Sequence, residues 1–177
     1  MSLFFFNDER ITALTLANYI LKKAQEQGIS VTNSKLQKIL YYVQGYYMAR
    51  FNHPLFPDEI QAWKFGPVVP NVYYAFSYYG PDTLQMLEEP DMDNCSEADM
   101  KVINRIIDEK LLLSATALMD ATRNEAPWLE ATDGGNVIRP GLAIKQESIM
   151  DFFQGTDGAM LNKKRMVKKG GNTYDSR

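Results

Sequence analysis

Histidine and cysteine are the side chains that most often carry nucleophilic, acid–base or metal chemistry. This chain of 177 residues has one of each, His53 and Cys95. With one of each it cannot assemble a His/Cys zinc site of its own. Any Ser-His-Asp or Cys-His arrangement would have to use His53, which precedes Pro54 in a loop and has no nucleophile elbow to serve. Asp91, Asp93 and Cys95 repeat the first spacings of a calcium loop. However, Cys95 offers no oxygen, Ser96 stands where the sharp turn needs glycine, and Val102 takes the place of the closing carboxylate. Gly134-Gly135 and the Gly155/Gly158 pair are too short for a phosphate-binding loop and lack a following Lys-Ser/Thr. The carboxylate pairs Asp58-Glu59 and Glu88-Glu89 lie in polar runs that read as solvated loops. No catalytic, cofactor-binding or metal-ligating residue emerges, and the expectation is a protein that is not an enzyme and carries no cofactor.

The residue types that remain suit recognition. Gln37, Tyr41, Gln44 and Met48 recur at helical spacing and form one strip. An unpartnered buried amide costs about 1–3 kcal/mol, so both glutamines need an internal backbone partner or access to solvent. Two arrangements satisfy them. They can hold backbone groups such as those freed near Pro67 and Pro70, or the strip can border a docking groove with Tyr41 as its aromatic anchor. Trp63, Lys64 and Phe65 form a second candidate, since the Gly66-Pro67 turn that follows can present the two aromatics to a partner or fold them against the core.

These candidates must be positioned by the stretch Asn33–Phe51. Leu36, Leu40, Val43 and Tyr47 share one helical face, Ile39 broadens it, and Tyr42 and Tyr46 add a second apolar strip. Only the sector of Lys35 and Lys38 reads as wet. A helix apolar over most of its circumference is enclosed by other elements, so this one is expected to be central. Ahead of it, Ala13, Leu16, Ala17, Ile20, Leu21 and Ala24 predict a helix capped by Asn7 or Asp8 and closed by Gly28, folding back as an αα-hairpin. After it, Glu59–Phe65 alternates as a short strand, with Ile60 and Ala62 on the inner side. Pro70 opens a helix over Asn71–Tyr79. Ser96 with Asp99 predicts a capping box for the helix of Ile103, Ile106, Ile107 and Leu111. Ser114 caps a further helix that Pro127-Trp128 ends. Leu142 and Ile144 lie in an extended stretch, and Ser148–Phe153 is the last helix. The fold expected is mainly α: one compact helical domain, 1–155, around a central buried helix, with one or two short extended segments and a basic tail, 156–177.

Composition limits the setting. A hydrophobic share of 45% suits a globular chain, and no apolar run is long enough to span a membrane. One cysteine excludes an internal disulfide, and nothing signals export, so a cytoplasmic location is expected. The net charge of −3 is uneven. After Met160 six basic residues face one acidic, leaving +5; before it 13 basic face 21 acidic, leaving −8. An acidic body does not suit nucleic acid, which leaves the tail as the only segment for such contact.

Leu36-Gln37-Lys38, Tyr41-Tyr42, Gln44-Gly45, Pro54-Leu55-Phe56 and above all Ala62-Trp63-Lys64-Phe65-Gly66-Pro67-Val68-Val69-Pro70 resemble the signature half of the Panacea domain, the family of SocA-like antitoxins and phage-associated GepA-like proteins. A second set, Leu113-Ser114-Ala115, Leu118, Ala126-Pro127-Trp128, Ile144 and Phe152-Phe153, extends the resemblance over most of 11–153. Arg123 stands where the family often has a histidine. The resemblance implies a non-catalytic antitoxin that contacts and neutralises a cognate toxin, in some relatives by delivering it to a ClpXP-type protease. The competing readings are a DNA-binding autoregulator acting through the basic tail and a phage or mobile-element accessory protein with another partner.

Overall fold

The structure is a computed structural model that describes residues 10–156. The Leu3–Phe6 cluster, the Asn7/Asp8 cap and the basic tail lie outside the described residues. The first helix, α1 (Ala13–Glu26), is capped by Thr12, whose side chain accepts from the Thr15 amide. Asp58, distant in sequence, accepts the Ala13 amide at 3.0 Å and so places a carboxylate at the positive end of α1. At the other end Gly28 adopts φ +67, and the Ile29 and Gly28 amides donate back to Ala24 and Gln25 carbonyls. That Schellman closure turns the chain into α2 (Asn33–Phe51).

Every residue of α2 from Lys35 to Met48 is buried. α1, α3 (Pro70–Ala75), α4 (Glu97–Leu111) and α5 (Ala115–Arg123) pack around it. The fold is mainly α, with one small sheet, as the sequence predicted. The wet sector expected at Lys35 and Lys38 is absent. Lys35 lies 7% exposed because its ammonium donates to the Leu111 carbonyl at 2.7 Å, at the negative end of α4. Lys38 is 2% exposed beneath the hairpin described below. Leu40, with no exposure, sits on the stripe that all these elements share. Leu40→Ala is expected to cost about 2–5 kcal/mol, read from urea midpoints, through lost transfer energy and an unfilled cavity.

Residues 146–156 form a last helix, α7, which continues past Gly155. It docks through Phe153 onto Gly45 of α2, where an added Cβ would collide with the ring. Phe153 is thereby enclosed by the rings of Tyr41, Tyr42 and Tyr46, at centroid distances of 5.4, 5.9 and 4.8 Å.

β1 (Gln61–Trp63) pairs antiparallel with β2 (Gly66–Val68), Ala62 opposite Pro67. On its other edge β1 meets residues 142–144: Ala62 donates to the Leu142 carbonyl at 2.8 Å and Ile144 to the Ile60 carbonyl at 2.9 Å. Ile60 and Ala62 are buried, as the alternation predicted, but Lys64 leaves that side to form the hairpin turn with Phe65. The predicted helix after Pro70 divides into α3 and a 3-10 turn, Ser77–Tyr79. The capping box of α4 forms with aspartate in place of glutamate: Asp99 accepts the Ser96 amide while the Ser96 side chain accepts the Asp99 amide. Pro127 does not end α5. It sits in the first turn of a new helix, α6 (Ala126–Ala131), where no intrahelical amide bond is lost.

Candidate partner-binding face

The hairpin tip and α3 together present aromatic side chains outward. Val72 and Phe76 take the inner face of α3, which turns Tyr73 and Tyr74 toward the hairpin. Trp63 packs edge-on to Tyr73 at 4.9 Å and lies 6.1 Å from Tyr74. Phe65 is 56% exposed and Tyr74 64%. The Lys64 ammonium stands 5.4 Å from the centre of the Phe65 ring, so the cation accompanies the aromatic surface.

This face is held rigidly from behind. The Trp63 indole N–H donates to Gln61 Oε1 at 2.9 Å, and its carbonyl accepts the Trp128 indole N–H at 2.9 Å. Arg123 lies 5.2 Å over the Trp128 ring. Gly66 turns with φ +112 and presses its backbone on α2 and α5; a Cβ there would sit 2.8 Å from Lys38 Cε and 2.9 Å from Thr122 Oγ1. The hairpin therefore rests on residues from both halves of the chain.

The strip Gln37, Tyr41, Gln44 and Met48 is not a surface. All four are at most 2% exposed, because α4, α5, α7 and the 52–60 loop enclose α2 on every side. Gln37 accepts the Val69 amide at 2.9 Å and donates to Asn33. Gln44 accepts the Leu55 and Phe56 amides at 2.9 and 3.3 Å and donates to the Phe56 carbonyl at 2.8 Å. The glutamines thus hold the two irregular segments that lead into and out of the hairpin region. Gln44 and Met48 also line a pocket of about 250 Å³ with Asp58, Glu59, Ile60 and Ile144. Of the seven residues proposed from the sequence, Trp63, Lys64 and Phe65 come together at one exposed site, and the other four form the frame behind it.

Sequence reasoning missed Tyr73 and Tyr74. The signal was present: in a helix opened by Pro70, Val72 and Phe76 claim one face and leave the adjacent tyrosines outside it. It also missed a polar cluster under the hairpin. The Tyr42 hydroxyl donates to Glu125 Oε2 at 2.7 Å, and the Lys110 ammonium lies 4.1 Å from the Tyr42 ring. Burial raises the Glu125 carboxyl above the usual carboxylate range, against the opposing pull of the tyrosine hydroxyls and Lys110. Arg123 Nε is buried without a hydrogen-bond partner.

Lys38 is the most displaced cation of this region, lowered to about 8 by burial. Below pH 8 the folded and unfolded chains both carry its proton, and folding bears the whole cost of the buried charge. Between about pH 8 and 10 the unfolded chain holds a proton that the folded chain has released. The Lys38 contribution therefore makes stability rise with pH, by up to about 1.4 kcal/mol per unit. Above pH 10 the trend reverses, because burial keeps Tyr41, Tyr42 and Tyr47 protonated to higher pH in the folded chain while the unfolded chain ionises first. Lys38→Met is expected to be more stable than the parent at pH 7. Urea midpoints should show that gap narrowing toward pH 10, and a constant gap would contradict the assignment to Lys38.

Among the described residues no helix is long and apolar enough to cross a membrane. A family model described as antitoxin SocA-like, Panacea domain, matches residues 36–129, the span from α2 into α6 that builds the hairpin and its frame. Antitoxin SocA of Caulobacter vibrioides is 41% identical to this chain, over 82% of this chain and 84% of its own length. No solved structure matches.

Proposed function

The chain belongs to the family of SocA-like antitoxins with a Panacea domain, and from that membership we propose that it is a non-catalytic antitoxin that neutralises a toxin by direct protein–protein contact. The contact surface in this reading is the face of Trp63, Lys64, Phe65, Tyr73 and Tyr74. One observation carries it: Phe65 at the hairpin tip and Tyr74 on α3 stand exposed beside half-buried Trp63, on a hairpin tied to the core through Trp128 and Gln37. Rigid aromatic anchors lose little entropy on binding and dominate interface energies. Gln37, Tyr41, Gln44 and Met48 serve this surface as framework.

Co-expression with the product of the neighbouring gene tests the proposal. The expected result is relief of that product's toxicity together with a purified complex of the two chains. Toxicity unchanged by the antitoxin, with both proteins present and folded, would contradict it. The lifetime of the toxin separates two routes: neutralisation by occlusion leaves its level unchanged, whereas delivery to a ClpXP-type protease shortens its half-life. The proposed domain comprises α1 to α7 and excludes the basic tail. Truncation after Thr156 is expected to leave the melting midpoint and toxin relief unchanged, with little duplex DNA affinity either way. A salt-sensitive gel shift that depends on the tail would instead favour the DNA-binding autoregulator.

A further inference from the structure

Three charged side chains are buried among the described residues: Lys35, Lys38 and Asp99. Two of them are matched within the chain. Lys35 donates to the Leu111 carbonyl, and Asp99 accepts from the Tyr47 hydroxyl at 2.9 Å and from the Ser96 amide. Lys38 has no hydrogen bond or ion pair with any described residue. Burial alone acts on its ammonium, and no carboxylate approaches closely enough to offset that effect. A buried cation left in this state costs folding free energy that an apolar side chain of similar length would not.

The place of Lys38 connects this cost to the hairpin. Gly66 of the aromatic hairpin packs directly on Lys38 Cε, and Thr122 of α5 lies against the same point. Beside it, Lys64 is exposed at the turn and Arg123 keeps a buried Nε without a partner. The acid of this neighbourhood, Glu125, is already engaged by Tyr42 and Lys110. A site with Lys38, Lys64 and Arg123 around an aromatic face, on a body whose net charge is −8, complements an acidic group.

We infer that Lys38 is an anion-receiving site under the hairpin tip, completed by a carboxylate of the toxin that docks on the Trp63–Phe65 face. This rests on the toxin-contact reading. In the free chain no described residue pairs with Lys38, and the toxin carboxylate supplies a partner. The Lys38 ammonium is not among the fully enclosed unpartnered polar atoms, so it keeps a solvent-facing side for the carboxylate. The partner class follows: a surface or segment that places an aspartate, a glutamate or a chain terminus beside an apolar anchor.

Lys38→Met tests this, with the product of the neighbouring gene as the probe. Melting of the free proteins and calorimetric titration with that product would be measured at pH 7 and pH 9. The expected variant melts higher than the parent yet binds about thirtyfold more weakly or worse, the loss that follows when a buried charge is deprived of its partner. At pH 9, titrations in buffers of different ionisation enthalpy should show the parent taking up about one proton on binding, as the new pair restores the charge on Lys38. The variant should show no such uptake. Unchanged affinity and no proton uptake by the parent would overturn the inference while leaving toxin contact in place. A variant that melts lower than the parent would overturn it too, by making Lys38 a structural residue. If the parent itself fails to bind, the toxin-contact reading falls and this inference falls with it.

Discussion

Phe153→Ala is expected to lower folding stability by about 3–5 kcal/mol and to lower the thermal midpoint accordingly. Phe153 has no exposure, and its ring is enclosed by Tyr41, Tyr42 and Tyr46 and abuts Phe152 at 5.0 Å. The substitution removes an aromatic side chain from a site that the α2 backbone cannot refill, because Gly45 offers no side chain to collapse inward. The complementary change acts from the other side. Gly45→Ala drives a methyl group into the space of the Phe153 ring and forces α7 away from α2, at a cost of about 1–3 kcal/mol or more. The two changes share one contact, so their effects should not add; combined with Phe153→Ala, Gly45→Ala should cost much less than it does alone. Denaturant unfolding of the two single variants and the double variant checks this. Additive losses would mean that α7 does not seat on Gly45.

The second large effect is on binding. Phe65→Ala with Tyr74→Ala removes the two most exposed anchors of the hairpin–α3 face, at 56% and 64% exposure in the free chain. Neither ring is part of the core, so the unfolding midpoint should stay within experimental spread of the parent. Interface hot spots of this type cost about 2 kcal/mol or more each when truncated. The two losses together come to about 4 kcal/mol, so toxin affinity should fall by about 10³-fold, and toxin relief in co-expression should be lost. Trp63→Ala is different in kind, because the indole packs on Tyr73 and bonds Gln61 while the Trp63 carbonyl itself accepts from Trp128. It should lose stability and binding together.

The central helix was legible because its apolar residues run round most of the cylinder, a pattern that only enclosure satisfies. The caps of α4 and α5 were legible from Ser96 and Ser114, since a cap is a local bond between near neighbours. Lys35 and Lys38 were misread for the opposite reason. A lysine on a helix reads as wet unless something distant covers it, and here the Leu111 carbonyl and the Gly66 backbone do so. The glutamines were readable as needing partners, but which partners depends on where Val69, Leu55 and Phe56 return to α2. Trp63, Lys64 and Phe65 emerged from the motif and its turn, whereas Tyr73 and Tyr74 join them only once α3 has rotated Val72 inward. Pro127 shows the ambiguity of proline most directly. The residue that stops one helix is equally suited to the first turn of the next.

Amide hydrogen exchange of the chain, alone and saturated with the product of its neighbouring gene, tests the docking face most directly. Complex formation should slow exchange at the hairpin tip, Trp63 to Gly66, and at Tyr73 and Tyr74. The outer surface of α1 should exchange as it does in the free chain. Protection confined to α1 or to the outer side of α4, with the hairpin and α3 unchanged, would contradict it.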